Sequence, residues 1–235
     1  MHITGFHRLD EGPSVRIAVH HGDDPRLLLW SRGWAVAQWL SATGTDDDIL
    51  LTAQVRRRTQ TTRLPRRHGL HALPDADPAP GEVPVPRQRI AAYAVVRSPM
   101  GMLGTMCSDH TAVPGRWQLP GGGLEPGETP SEAVMREVTE ETAQSVHLLR
   151  VVDLQSDHWV GRGPSGQLED FQALRIIYTA ICSEPTQPIV LDVDGTTAMS
   201  RWVPVRHWRS LPWTAGARSA LDKYLDTVRV PRLAC

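Results

Sequence analysis

The stretch Gly122–Gln144, GGLEPGETPSEAVMREVTEETAQ, decides the reading of the whole chain. It is a glycine-rich turn that runs into a short acidic helix. The helix start is marked three times over: Thr129 is a capping residue, Pro130 suits the first helical position, and Glu132 follows the cap by three residues to complete a capping box. With the start fixed, the phase is fixed. At about 100° per residue, Glu137, Glu140 and Glu141 fall within one arc, and Val134, Met135 and Val138 fall beside it on the face expected to pack. Arg136 stands one turn before Glu140 and can pair with it, which leaves Glu137 and Glu141 repelling each other. Both lie in the last turns, where the helix dipole disfavours negative charge. A cation in that arc relieves both problems, and donors that are all oxygen select a hard divalent ion such as Mg²⁺ or Mn²⁺.

The spacing from Gly122 through Glu128 to Arg136-Glu137-Val138 and on to Glu140-Glu141 resembles the signature of the Nudix family. The family pattern continues with a glycine and an aliphatic residue, where this chain has Ala143 and Gln144. Both departures lie past the last carboxylate, so they bear on how the chain leaves the helix more than on the metal ligands. The resemblance covers roughly Gln88 to Val228. It implies an α/β (α+β mixed) fold in which a mixed β-sheet is sandwiched between helices, with a smaller α/β segment in front. It also implies metal-dependent hydrolysis of a phosphoanhydride bond in a small-molecule substrate, a nucleoside triphosphate or a nucleoside diphosphate-linked compound, with Mg²⁺ or Mn²⁺.

Carried over residue by residue, the resemblance makes Glu137 and Glu141 metal ligands and Glu140 a ligand or base. The backbone carbonyl of Gly121 is a further ligand, Arg136 orients the carboxylates, and Glu128 supports the metal shell or the turn. Many family members recruit another acid from a loop after the helix, for which Glu169 and Asp170 are the candidates, and Trp159 is a candidate for stacking on a base. The proline that marks ADP-ribose hydrolases is absent, since Trp159-Val160 stand near its place. A different class of function, a non-catalytic nucleotide-sensing or regulatory module, usually goes with lost acids, and here all four glutamates and the arginine are present. A diphosphate isomerase needs a further catalytic cysteine or acid that the sequence does not single out.

The rest of the composition bounds the setting. A net charge of −1 over 235 residues argues against a dedicated nucleic-acid or polybasic membrane binder. Lys223 is the sole lysine beside many arginines, which suggests a GC-rich bacterial genome. Cys107, Cys182 and Cys235 are odd in number and far apart, so they form neither a disulfide framework nor a zinc motif, and a reducing cytoplasm fits. The first residues have no apolar run of signal-peptide length, and no later run is long enough to span a membrane.

Residues 1–72 are expected to form an N-terminal segment, 73–86 a proline-rich linker, and 87–235 the Nudix domain. In the first segment Val15–His20 and Leu27–Trp30 read as strands and Asp46–Arg58 as a helix, with acids at its start and arginines at its end as the dipole prefers. The order strand, strand, Trp39-Leu40, Gly44-Thr45, helix partly matches the later order up to the acidic helix. A degenerate partial repeat is one reading, and chance similarity between short strand-strand-helix segments is the other. The segment is expected to pack on the catalytic domain or on a second subunit, which leaves a homodimer open.

Arg56, Arg57, Arg58, Arg63, Arg66 and Arg67 are candidates for phosphate contacts, although such a run is more commonly a solvated surface. His20-His21 and His68-x-x-His71 lack a supporting carboxylate or cysteine pattern. Downstream, strands are expected from Arg89 to Val96, to about Met106, over Val146–Asp153, Phe171–Ile181 and Ser200–Pro204. A glycine-rich loop is expected over Ser156–Gln167 and an amphipathic helix over Ala215–Val228.

Overall fold

The computed structural model describes residues 1–45, 48–65, 78–163, 165–192 and 195–230. The strands of the described residues form two sheets. The larger contains β5 (Val85–Ser98), β6 (Gly101–Cys107), β9 (His147–Arg162), β10 (Leu168–Ile181) and β11 (Thr197–Val203) in the order β11-β6-β5-β10-β9, with the short β7 (Trp117–Gln118) on β6 and β8 (Gly121–Gly123) on β5. The central pair β5 and β10 is parallel and the other pairings are antiparallel, so the sheet is mixed.

A parallel pair needs cover on both faces, and both are apolar. Ala92, Ala94, Leu154 and Ile176 pack with Ala133, Val134 and Val138 of helix α2 (Pro130–Thr142). Val95, Val152 and Ile177 pack on the opposite side with Trp208, Trp213, Ala220 and Leu221, the last two from helix α3 (Ala215–Tyr224). A mixed sheet therefore lies between helices. Among the described residues no helix is long and apolar enough to cross a membrane.

The smaller sheet comprises β1 (His2–Phe6), β2 (Val15–Ala18), β3 (Trp34–Thr43) and β4 (Leu50–Arg57), ordered β2-β1-β4-β3, with helix α1 (Pro25–Ser31) between β2 and β3. Its inner residues Ile3, Ile17, Leu51 and Val55 belong to the same apolar cluster as Val134 and Val138, so this segment packs on the α2 side of the large sheet.

Several local expectations are corrected. Leu27–Trp30 is helical, because the Asp24 carboxylate caps the backbone N–H groups of Arg26 and Leu27 and Pro25 occupies the first turn. Within 46–58, residues 50–57 form a strand rather than a helix, since Leu51, Ala53 and Val55 are buried while their neighbours are not, a period of two. The helix that an internal repeat needs opposite α2 is thus a strand. β9 continues to Arg162, so the expected glycine-rich loop begins later, and Met135 is 41% exposed rather than on the packing face of α2. Asp46, Arg66, Arg67, His68, His71 and residues 73–77 of the proline-rich stretch lie outside the described residues.

Candidate active site

Helix α2 starts as its sequence dictates. The Thr129 hydroxyl accepts from Glu132 N, the Glu132 carboxylate accepts from Thr129 N at 2.9 Å, and Pro130 follows the cap. This sets the register that brings Arg136 to the centre of an ionic web. Its Nε and Nη2 donate to the two oxygens of Glu128 at 2.9 and 3.0 Å, its Nη1 donates to Glu140 Oε2 at 3.0 Å, and Nη2 also donates to the Gly123 carbonyl at 3.1 Å. Glu137 Oε1 lies 3.2 Å from the same Nη1. The guanidinium holds the Glu128 carboxyl below its usual range, and the carboxylates in turn raise the Arg136 pKa. A bidentate pair of this kind fixes both partners in orientation.

Two carboxylates are turned inward. Glu141 is buried, with Oε2 accepting from Gly121 N at 2.9 Å and Oε1 accepting from the Thr197 hydroxyl. Burial pushes its pKa up to about 8, opposed by these two donors. Burial also raises Glu137, with Arg136 opposing. Glu137 rests against β8 so closely that a Cβ on Gly122 would come within 2.1 Å of its Oε1, which explains a glycine there. Gly121 has φ +138°, and a Cβ on it would meet the Ala92 carbonyl at 2.2 Å. Glu140 is the exposed member, at 44%. Two desolvated carboxylates with a third beside them are oxygen donors of the kind a hard divalent cation takes, and such an ion would favour the ionised forms that burial disfavours.

The helix exit is built around the two unusual residues. Ala143 is the C-cap in the left-handed conformation, φ 55° and ψ 27°, where glycine is the ordinary choice. Gln144 is buried; its amide donates to Thr142 O at 3.1 Å and to Thr186 Oγ1 at 2.9 Å, and its carbonyl accepts from Thr186 N at 2.9 Å. That anchors the loop whose backbone N–H groups at Leu191 and Asp192 donate to the Glu140 carbonyl, at 2.7 and 3.2 Å. The same loop leads to Thr197 and so to Glu141.

A family-wide profile described as the NUDIX domain matches residues 87–224, more than half of the sequence. The chain belongs to the Nudix family. A nucleoside triphosphatase NudI from Enterobacter sp. (strain 638) is 39% identical over 66 residues, which make up 28% of this chain and 47% of that one. The namesake from Klebsiella pneumoniae (strain 342) is 27% identical over 124 residues, 52% and 85% respectively. The chain thus spans about half the length of the first relative. Among solved structures, a Nudix hydrolase from M. Smegmatis, RenU, aligns over 63% of this chain and 92% of its own, with 22% identity and a TM-score of 0.46. Nudix hydrolases generally use a divalent metal, and the donor set around Glu137 and Glu141 fits one.

On the α3 side of the sheet, β5, β9 and β10 line two adjoining cavities of about 160 and 220 Å³ that share Tyr93 and Arg175. Strand alternation places Arg89, Tyr93, Gln155, Trp159, Phe171 and Arg175 on this side. The Trp159 and Phe171 rings lie 4.7 Å apart at its edge. Arg89 joins the cleft to the Nudix box: its Nε would be 3.2 Å from a Cβ on Gly123, and its charge acts on Glu137. Arg175 lines both cavities, and its Nη1 is enclosed with no hydrogen-bond partner among the described residues.

The other sequence candidates go elsewhere. Glu169 and Asp170 are in β10, not a loop. Glu169 pairs with Arg87 at 2.8 Å, and its register partner Val85 is six residues along β5 from the Ala91–Gly123 pair, about 20 Å away at strand spacing. Asp170 faces the opposite side, toward His158 and His21. The later acid that bears on Glu141 is Asp192, whose charge adds to its raised pKa. Arg57 and Arg58 lie over the Trp34 and Trp30 rings at 4.2 and 4.0 Å. Thr197, Arg89 and Arg175 carried no sequence signal, since each gains its role from what the fold brings around it, and Gln144 was marked only as a departure from the family pattern.

Proposed function

We propose that this chain is a metal-dependent pyrophosphohydrolase that cleaves a phosphoanhydride bond in a nucleoside triphosphate or a nucleoside diphosphate-linked compound, with Mg²⁺ or Mn²⁺. The observation that carries this reading is the pair of desolvated carboxylates, Glu137 and Glu141, packed on the glycine strand β8 beside a cleft with an unpartnered arginine and an aromatic edge. A bound divalent cation would supply neutralisation of the diphosphate oxygens and a more acidic water. Glu137, Glu140 and Glu141 would hold it, with Gly121 O a further donor by family likeness. Arg136 fixes Glu128 and Glu140 in orientation, and Thr197 and Gly121 N fix Glu141. Arg89 supplies positive charge where the cleft meets the box. In the cleft the Trp159 face stacks on the base and Arg175 donates to a base carbonyl or phosphate oxygen.

The NudI relatives named as nucleoside triphosphatases, and an RNA pyrophosphohydrolase from Erythrobacter litoralis that is 43% identical over 61 residues (20% of this chain, 37% of that one), support a nucleotide-like substrate. A panel of nucleoside triphosphates and nucleoside diphosphate-linked compounds, with Mg²⁺ or Mn²⁺, tests the reading. Nucleoside monophosphate should appear with pyrophosphate or a phosphorylated co-product, and excess chelator should abolish it. Full turnover in chelator, or tight nucleotide binding with no turnover on any compound, overturns the proposal.

A further inference from the structure

Away from the box, three side chains with metal-binding atoms meet where the N-terminal segment joins β9 and β10. These are His21, His158 and Asp170. His158 Nε2 is in direct contact with Asp170 Oδ1, and His21 Nε2 lies 3.4 Å from Asp170 Oδ2. The ligand atoms of the trio all lie within 4.8 Å of one another, and the two imidazole rings meet edge to face with centroids 5.6 Å apart. A divalent ion at a bond length of about 2.1 Å holds tetrahedral ligand atoms roughly 3.4 Å apart. The trio needs little movement to reach that spacing.

Asp170 stands between the two imidazoles, in ion-pair range of His158 Nε2 and, at 3.4 Å, of His21 Nε2, so one carboxylate serves both rings. The Nε2 of His21 is enclosed, and beyond this long contact with Asp170 it has no well-formed hydrogen bond among the described residues. An imidazole lone pair directed at a cation removes that defect. The loop that carries His21 is also firmly placed. Gly22 N donates to Gln172 Oε1 at 2.9 Å, Gln172 Nε2 donates to the Asp23 carbonyl at 2.7 Å, and Gln88 Nε2 donates to the same Gln172 oxygen at 2.7 Å. Gln172 itself is fully buried. The three candidate ligands remain between 28 and 38% exposed, which gives an ion a way in.

We propose that His21, His158 and Asp170 form a second metal site, separate from the carboxylates of α2, that takes a borderline transition ion such as Zn²⁺ and ties the N-terminal segment to β9 and β10. Two imidazoles and one carboxylate favour such an ion over Mg²⁺, whereas the all-oxygen box favours the reverse, so one chain holds two sites of different selectivity. The ion leaves at least one coordination position to solvent. Trp159 and Phe171, next in sequence to His158 and Asp170, face the cleft from the other side of the same strands, so occupancy stiffens the strand pair that carries them.

The test uses the full chain stripped of metal and titrated with Zn²⁺ in excess Mg²⁺. A single equivalent should bind and raise the thermal midpoint. Co²⁺ in its place should give visible bands of a histidine-ligated site that Zn²⁺ displaces. His21→Gln and His158→Gln should each weaken Zn²⁺ binding by about tenfold or more, and Glu137→Gln should leave it unchanged. Zn²⁺ that binds wild type no more tightly than His158→Gln, or that is removed by Mg²⁺ and by Glu137→Gln, overturns the proposal. Because His158 is half-exposed, its variant gives the answer in a folded chain even if His21→Gln unsettles the first loop.

Discussion

Helix α2 and strand β4 invert what their charges alone would suggest. The stretch around β4 has acids before it and Arg56, Arg57 and Arg58 at its end, the order a helix dipole prefers, and it is a strand. α2 ends in Glu137, Glu140 and Glu141, the order the dipole disfavours, and it is a helix. End charges are worth about 0.3–1 kcal/mol each, and less in salt. Burying a leucine or valine is worth about 1.5–3 kcal/mol, and Leu51 and Val55 are buried with Ala53 at a period of two, while Ala133, Val134 and Val138 are buried at a helical period. The period of burial decides the element. The charge order left over at the end of α2 is then a sign of something other than stability.

The largest expected effect tests that last point. Glu141→Gln should lower kcat/KM by about a thousandfold, several kcal/mol of lost transition-state stabilisation, with the fold kept. In chelator, wild-type stability should fall as pH rises from the ordinary carboxylate range toward 8, because native Glu141 keeps a proton that the unfolded chain releases. The variant should lose most of that slope and keep the part that Glu137, also raised by burial, contributes. Thermal melts over this range and steady-state kinetics check both, and an equally active variant would show that the wrong acid has been chosen.

Next in size, Leu51→Ala should destabilise the whole protein by about 2–5 kcal/mol. Leu51 shares one apolar cluster with Val138, so denaturant unfolding should remain a single transition in which activity and the N-terminal sheet are lost together. Two separate transitions would break the comparison, making the sheet and the catalytic half independent. Trp159→Ala should raise KM by about tenfold with little change in kcat, from lost base stacking. A fall in kcat at constant KM would move Trp159 out of the substrate site. The smallest effect sharpens the account of the α2 exit. Ala143→Gly should stabilise the protein by about 0.5–1 kcal/mol, since the left-handed cap suits glycine, and a destabilised variant in chemical denaturation would count against it.

The sequence by itself determined α2. Cap, first-turn proline, capping box and helical period all lie within one short stretch, so the phase of Glu137, Glu140 and Glu141, and the pairing of Arg136 with Glu140, followed without knowing the fold. The same kind of local signal was present for α1, in Asp24-Pro25, where the apolar run Leu27–Trp30 is equally compatible with a strand. Tertiary structure decided the remainder. β4 became a strand because β1 and β3 flank it. Asp170 and Phe171 were sent to opposite faces by the alternation of β10, and Thr197 reached Glu141 only because β11 joins the sheet beside β6. His21, His158 and Asp170 are brought together by the loop that Gln172 pins. Neighbours on a helix are set by a fixed rise and turn per residue, whereas neighbours across a sheet depend on which strands pair and in what register, and distant residues supply that choice.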